Sequence, residues 1–216
     1  NDHASAFMIG DVSGHGVSAS LVMAMAKARV FSHFDEGGTE SGLLEQLNDL
    51  LFHLTSRRQL MTFCLVLVDF STHTGTITAA GNPLPVFLRR SDTSVRHLGA
   101  IAYPLAVREQ QRFEPTPFTF APGDLLLLYT DGVVEAIDSE QRPYGYDRLQ
   151  RLMQQTADLG VHGLVQYLQA DLGHHLGSCL PLDDITVLAL GRVADNHPCT
   201  SQTIIIDSPD KESHQA

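Results

Sequence analysis

Between Leu60 and Thr130 the chain repeats one motif: a short β-rich apolar run, a turn, then another run. MTFCLVLVDF (61–70) is followed by the turn Thr72-His73-Thr74-Gly75 and by the strand pattern Thr76–Ala80. Gly81-Asn82-Pro83 interrupts before LPVFLR (84–89), and Val95–Leu98 and Phe118–Phe120 read as further short strands. Ala121-Pro122-Gly123-Asp124 then turns the chain into LLLLYT (125–130). Short turns between consecutive strands leave no room for the crossover that a parallel pair requires, so the pairing is antiparallel.

Helical periods flank this region. Ala19, Leu21, Val22, Met25, Ala26 and Val30 give an apolar pattern from Ser18 to about His33, and Lys27 and Arg29 suit the negative end of its dipole. Glu36-Gly37-Gly38-Thr39 ends it. Ser41 is an N-cap for a second helix, in which Leu43, Leu44, Leu47, Leu50, Leu51 and Leu54 form one stripe. That stripe, with Met23 and Met25, reads as core. Further helices are predicted near Tyr146–Gln155 and Leu164–Leu176; AFMIG (6–10) opens the domain as a strand and ITVLAL (185–190) closes it. The order strand, two helices, strands, two helices, strand predicts an α+β layered sandwich, not a doubly wound parallel sheet. Residues 193–216 read as a polar linker or tail that leads towards another domain, leaving 1–192 as one domain.

Of 216 residues, 43% are hydrophobic, enough for a sizeable core. A formal charge of −11 argues against a broad basic surface for nucleic acid and is compatible with a divalent cation. Cys64, Cys179 and Cys199 show neither paired nor metal-binding spacing, which predicts a reducing, cytoplasmic setting. No apolar stretch approaches the roughly 20 residues that span a bilayer.

Acidic residues recur where apolar strands meet loops. Asp11 follows AFMIG, Asp131 follows LLLLYT, and Asp183-Asp184 precede ITVLAL. Strand-end carboxylates can converge on one rim of a sheet, and their hard oxygens suit Mg²⁺ or Mn²⁺. Taken singly, each also serves as an ordinary turn or cap residue.

The stretches GDVSGHGVSASLVMAMAKA, LLLLYTDGVVEA and DDITVLAL resemble the three metal motifs of the SpoIIE/RsbU-type serine phosphatases, the bacterial branch of the PP2C (PPM) metal-dependent phosphatases. LLEQLND (43–49), MTFCLVLVDFSTHTGTITAAGNPLP (61–85), APGDLLLLYTDG (121–132) and YGYDRL (144–149) agree in order and spacing, so that the likeness spans about residues 5–192. The resemblance implies a PP2C-like αββα sandwich: two antiparallel sheets flanked by helices, with two Mn²⁺ or Mg²⁺ ions at one end. It implies hydrolysis of a phosphoserine or phosphothreonine ester on a protein by metal-activated water. Matched by position, Asp11 becomes the ligand shared between the ions, the Val12 carbonyl binds one of them, and Asp131 and Asp183 supply the other carboxylates. Asp184 takes a secondary, orienting place. The substrate implied is a phosphorylated anti-anti-sigma protein of the STAS type in a partner-switching system, with sensor or receiver domains elsewhere in the parent chain.

Three departures qualify the match. Relatives carry a Gly-Gly-Asp strand ahead of the first motif, whereas Ala4 is preceded only by Asn1, Asp2 and His3; a truncated N-terminal strand and weak binding of the second metal are therefore expected. Ala106 in Tyr103-Pro104-Leu105-Ala106 replaces a common Gly and resists positive φ. His15 has two readings: a general acid, or a side chain that pins the loop through backbone hydrogen bonds. Ser13 occupies the position at which protein-serine phosphatases of the wider group carry a histidine. The missing strand also leaves open a phosphatase-like adaptor that binds a partner without turnover. A phosphate-cradling nucleotide loop fits less well, because GDVSGHG lacks the Lys-Ser/Thr of a P-loop.

Overall fold

The computed structural model describes residues 4–38, 42–55 and 59–192, and the backbone of 200–206. In chain order the elements are β1 (Ala4–Val12), α1 (Val17–Asp35), α2 (Leu43–Leu54), β2 (Met61–Asp69), β3 (Thr74–Ala80), β4 (Val86–Arg89), β5 (Ser94–His97), β6 (Thr116–Thr119), β7 (Leu125–Tyr129), α3 (Asp131–Glu135), α4 (Tyr146–Gln155), α5 (Gly160–Leu176), β8 (Ile185–Gly191) and β9 (Thr200–Ile206). They fall into two compact units: Asn1–Leu84 with Gly99–Thr119, and Pro85–Leu98 with Phe120–Ala216.

In the first unit a four-stranded sheet has the order β1-β2-β3-β6, and every pair is antiparallel. The alternating residues Met61, Phe63 and Leu65 of β2 point into one core with Ala19, Val22, Ala26 and Val30 of α1 and Leu43, Leu44, Leu47 and Leu51 of α2. Burying each large aliphatic side chain contributes about 1.5–3 kcal/mol, so this face anchors both helices. The leucine stripe is shorter than its spacing predicts: Leu54 is exposed and Leu50 half-buried. Met23 is exposed too, because α1 turns it away from the sheet side that Val22 and Ala26 occupy. Gly42 stands at the N-cap position of α2; Ser41 lies outside the described residues.

In the second unit a five-stranded antiparallel sheet has the order β5-β4-β7-β8-β9. Val86, Leu88, Leu125, Leu127, Tyr129, Ile185, Val187 and Ala189 of this sheet form its core with Leu149, Leu152, Leu164, Val165 and Leu168 of α4 and α5. Within 193–216, the segment read as a polar linker apart from Thr203–Ile206, residues 200–206 form strand β9, which pairs along the whole of β8 from Ile185↔Ile206 to Gly191↔Thr200. Its Ile204, Ile205 and Ile206 belong to a strand whose ladder partner lies next in sequence. The short helix α3 follows β7 directly and has no helical period of its own in the sequence. Two antiparallel sheets with helices bear out the expected fold class. Among the described residues no helix is long and apolar enough to cross a membrane.

Candidate functional site

Strand β1 carries Asp11 and Val12 as its last two residues, paired with Thr62 and Met61 of β2. Asp11 is thus held in a ladder and not on a loop. The Val12 side chain is buried in the first unit's core, which fixes the direction of its backbone. Ser13 continues the pairing: its N–H donates to the Leu60 carbonyl at 2.8 Å, and its hydroxyl accepts from the Leu60 N–H at 2.8 Å. Ser13, and not His15, therefore makes the backbone bonds that pin this loop. His15 is exposed, between Gly14 at φ 89° and Gly16 at φ 79°. Both conformations favour glycine and let the chain turn from β1 into α1 within four residues.

Near this end the first unit has a second constrained loop. Leu105 exchanges hydrogen bonds with Met61 at 2.8 and 3.3 Å, and the next residue, Ala106, adopts φ 68°. Asn48 of α2 is fully buried and holds that loop: its Oδ1 accepts from the Ala106 N–H at 3.1 Å, and its Nδ2 donates to the Arg108 carbonyl at 2.8 Å.

In the second unit antiparallel pairing brings the end of β7 beside the start of β8, so Asp131 and Asp183-Asp184 occupy the same end of the sheet. Asp131 is half-buried and accepts from the Gly132 N–H at 3.0 Å through Oδ1. Asp183 is exposed and uses the same device, with the Asp184 N–H donating to its Oδ1 at 2.9 Å. In each case one carboxylate oxygen is oriented by the next peptide and the side chain is restrained. Thr130 joins the two segments. Its hydroxyl donates to the Asp184 carbonyl at 3.1 Å and accepts from the Thr186 N–H at 3.0 Å. Gly132 lies against the same Asp184 carbonyl. Tyr129, at the end of β7, is fully buried, and burial raises its phenol pKa well above the ordinary value.

In the first unit Asp11 stands at the end of β1, and in the second Asp131 and Asp183 stand together at one end of the sheet, each offering carboxylate oxygens. Asp184 takes a backbone part through its carbonyl and N–H. A donor set made only of carboxylate oxygens is hard and anionic, which fits Mg²⁺ or Mn²⁺ and does not fit soft, thiolate-seeking metals. Thr130, Gly132 and Ser13 are the supporting residues that the sequence reading missed. Nothing in the local sequence shows that the Thr130 hydroxyl crosses to another strand.

Residues 1–193 match the family described as Stage II sporulation protein E (SpoIIE). Protein IcfG of Synechocystis sp. is 24% identical over 215 residues, covering 87% of this chain and 33% of that protein. Phosphoserine phosphatase RsbU of Bacillus subtilis is 25% identical over 127 residues, covering 59% of this chain and 38% of RsbU. The chain thus spans little more than a third of the length of these relatives. Among solved structures, the RsbU and RsbW domains of Rv1364c from Mycobacterium tuberculosis superpose with a TM-score of 0.75 at 25% identity, covering 90% of this chain and 53% of that one. The SiaA-PP2C domain of Pseudomonas aeruginosa gives 0.79 at 19% identity, covering 90% and 78%. RsbX, solved in complex with magnesium, gives 0.66 at 16% identity, covering 90% and 83%. With a family match that runs from the first residue into the segment after β8, the chain belongs to the SpoIIE family.

Proposed function

We propose that this chain is a Mg²⁺- or Mn²⁺-dependent protein phosphatase domain that hydrolyses phosphoserine on a signalling protein. The observation that carries the reading is the match of residues 1–193 to the SpoIIE family, in a chain whose Asp11 closes β1 of the first unit and whose Asp131 and Asp183 share one end of the second unit's sheet. In this reading Asp11, the Val12 carbonyl, Asp131 and Asp183 would hold the ions, and Asp184 would orient the last turn. The ions supply an activated water and neutralise charge on the phosphoryl oxygens. The protein's part is to hold the ligands rigidly: Val12 by its buried side chain, Asp131 and Asp183 by their neighbouring N–H groups. His15, exposed between two glycines, has no chemical task in this reading.

The substrate class follows from the relatives. RsbU is named a phosphoserine phosphatase, and a phosphorylated STAS-type anti-anti-sigma protein in a partner switch is the substrate we assign. The greater length of the relatives supports regulatory domains in the same polypeptide. The magnesium in RsbX supports the choice of a hard divalent cation.

The test is Mn²⁺-dependent release of phosphate from an aryl phosphate and from a phosphorylated STAS protein, with wild type and Asp131→Asn compared in the full-length natural chain. Turnover that requires Mn²⁺ and disappears in Asp131→Asn supports the reading. No turnover from the full-length protein overturns it in favour of a non-catalytic adaptor. Calorimetric titration of the 216-residue chain is expected to show one tight Mn²⁺ site; two tight sites would refute the expected weakness of the second.

A further inference from the structure

We propose that Thr130 is the positioning residue for the Asp131 and Asp183 carboxylates, acting through the backbone of Asp184; the proposal rests on the metal-centre reading above. Thr130 occupies the N-cap position of α3, where a threonine ordinarily turns its hydroxyl onto the N–H groups of its own helix. Here it makes no cap bond. The hydroxyl reaches across to β8, donating to the Asp184 carbonyl at 3.1 Å and accepting from the Thr186 N–H at 3.0 Å. A hydroxyl has one proton to give, and both directions of bonding are occupied by one turn.

The Thr130 N–H adds a third bond, to the Thr186 carbonyl at 3.0 Å. Three hydrogen bonds therefore join one residue at the end of β7 to the first residues of β8. Each end of this clamp is one residue away from a candidate metal-ligating carboxylate of the second unit: Thr130 precedes Asp131, and Asp184 follows Asp183. Thr130 is only 4% exposed, so water does not readily replace the bonds. Gly132 completes the arrangement by leaving room for the Asp184 carbonyl, which a Cβ at that position would meet at 2.5 Å. The separation of the two carboxylates is thus set by a hydroxyl and an absent side chain, neither of which touches the ion.

Outer-shell partners that orient ligands typically change metal affinity 10–100-fold when removed. Thr130→Val keeps the branched shape and loses the hydroxyl; Thr130→Ser keeps the hydroxyl and loses the methyl. Mn²⁺ is titrated calorimetrically into the 216-residue chain and both variants, and their metal-free melting temperatures are measured alongside. Thr130→Val is expected to bind Mn²⁺ roughly 10–100-fold more weakly, and Thr130→Ser to stay within about threefold of wild type. Such rescue by serine separates orientation by the hydroxyl from packing by the methyl. If Thr130→Val does not fold, Thr130→Ala, which also lacks the hydroxyl but places no methyl against the two polar groups, takes its place. Wild-type affinity in the hydroxyl-free variant overturns the proposal and leaves the metal reading standing. Equal loss in the serine variant also overturns it, since the methyl would then be the cause. Absence of Mn²⁺ binding by the wild type overturns the metal reading and this proposal together.

Discussion

The carbonyl oxygen of Asp184 approaches Gly132 so closely that a Cβ on Gly132 would stand 2.5 Å from it, with Ile185 Cγ1 at 3.3 Å on the same side. The neighbour is backbone, so it cannot swing aside as a flexible side chain would. Gly132→Ala is expected to push the turn before β8 away from α3. Overpacking of this kind costs about 1–3 kcal/mol. Mn²⁺ affinity is expected to fall by about tenfold or more as Asp183 moves with the turn. Thermal melting without metal and calorimetric titration with Mn²⁺ read the two effects separately; an unchanged melting temperature and affinity would contradict the close approach.

Ala106 and Asn48 predict opposite signs within one loop. Ala106 holds φ 68°, a left-handed conformation that costs an L-residue roughly 1–2 kcal/mol and glycine little. Ala106→Gly is expected to stabilise the protein by about 0.5–1 kcal/mol, part of the relief being offset by the greater freedom of glycine in the unfolded chain. Asn48→Ala removes the partner of both the Ala106 N–H and the Arg108 carbonyl and is expected to destabilise by about 2–3 kcal/mol. Urea denaturation of the two variants checks both directions.

Arg148 and Asp171 give a pH dependence of known sign. The Arg148 guanidinium bonds both carboxylate oxygens of Asp171, at 2.8 and 2.7 Å, and the Tyr144 hydroxyl adds a bond at 2.7 Å. The hydrogen bonds from Arg148, then that from Tyr144, hold the Asp171 carboxyl below its ordinary pKa, with burial opposing them. A carboxyl depressed in the folded state stabilises fully above its unfolded pKa of about 3.9, and that contribution is lost as pH falls through the folded value. Asp171→Asn is expected to lower stability by about 1–2 kcal/mol at pH 7, a figure reduced for partial solvent exposure. The gap between wild type and variant closes below about pH 4. Melting curves from pH 7 down to pH 3 test this; a gap that widened on acidification would show the opposite sign.

Cys64 is fully buried in β2, and burial pushes its thiol pKa up to about 12. At pH 8 almost none of it is the reactive thiolate. Cys64 is expected to resist iodoacetamide in the folded protein and to react on unfolding, while the half-buried Cys179 is labelled first of the two. Peptide mapping after timed alkylation distinguishes them; early labelling of Cys64 would place it outside the core.

The histidines show how local sequence and tertiary contact divide the information. Adjacent residues of a helix point apart, and on α5 His174 is exposed, whereas His175 meets Arg148 through Nδ1 at 3.0 Å and the Ala136 carbonyl through Nε2 at 3.1 Å. The helix period predicted the divergence. It held no trace of Arg148, which lies 27 residues away.

By itself the sequence determined most of the strands, the longer helices and the acidic residues at strand ends, because apolar periodicity, turn residues and Gly14-His15-Gly16 act within a few residues of chain. It also carried enough motif order to place the chain in its family. The tertiary structure decided which polar groups meet. It placed Asp11 inside the β1–β2 ladder, gave the loop's backbone bonds to Ser13 and not to His15, and made the Thr130 hydroxyl a bridge to Asp184. It also made residues 200–206 a strand. A hydrogen bond between strands depends on register and on what the neighbouring strand offers, and neither is encoded within one strand's own period.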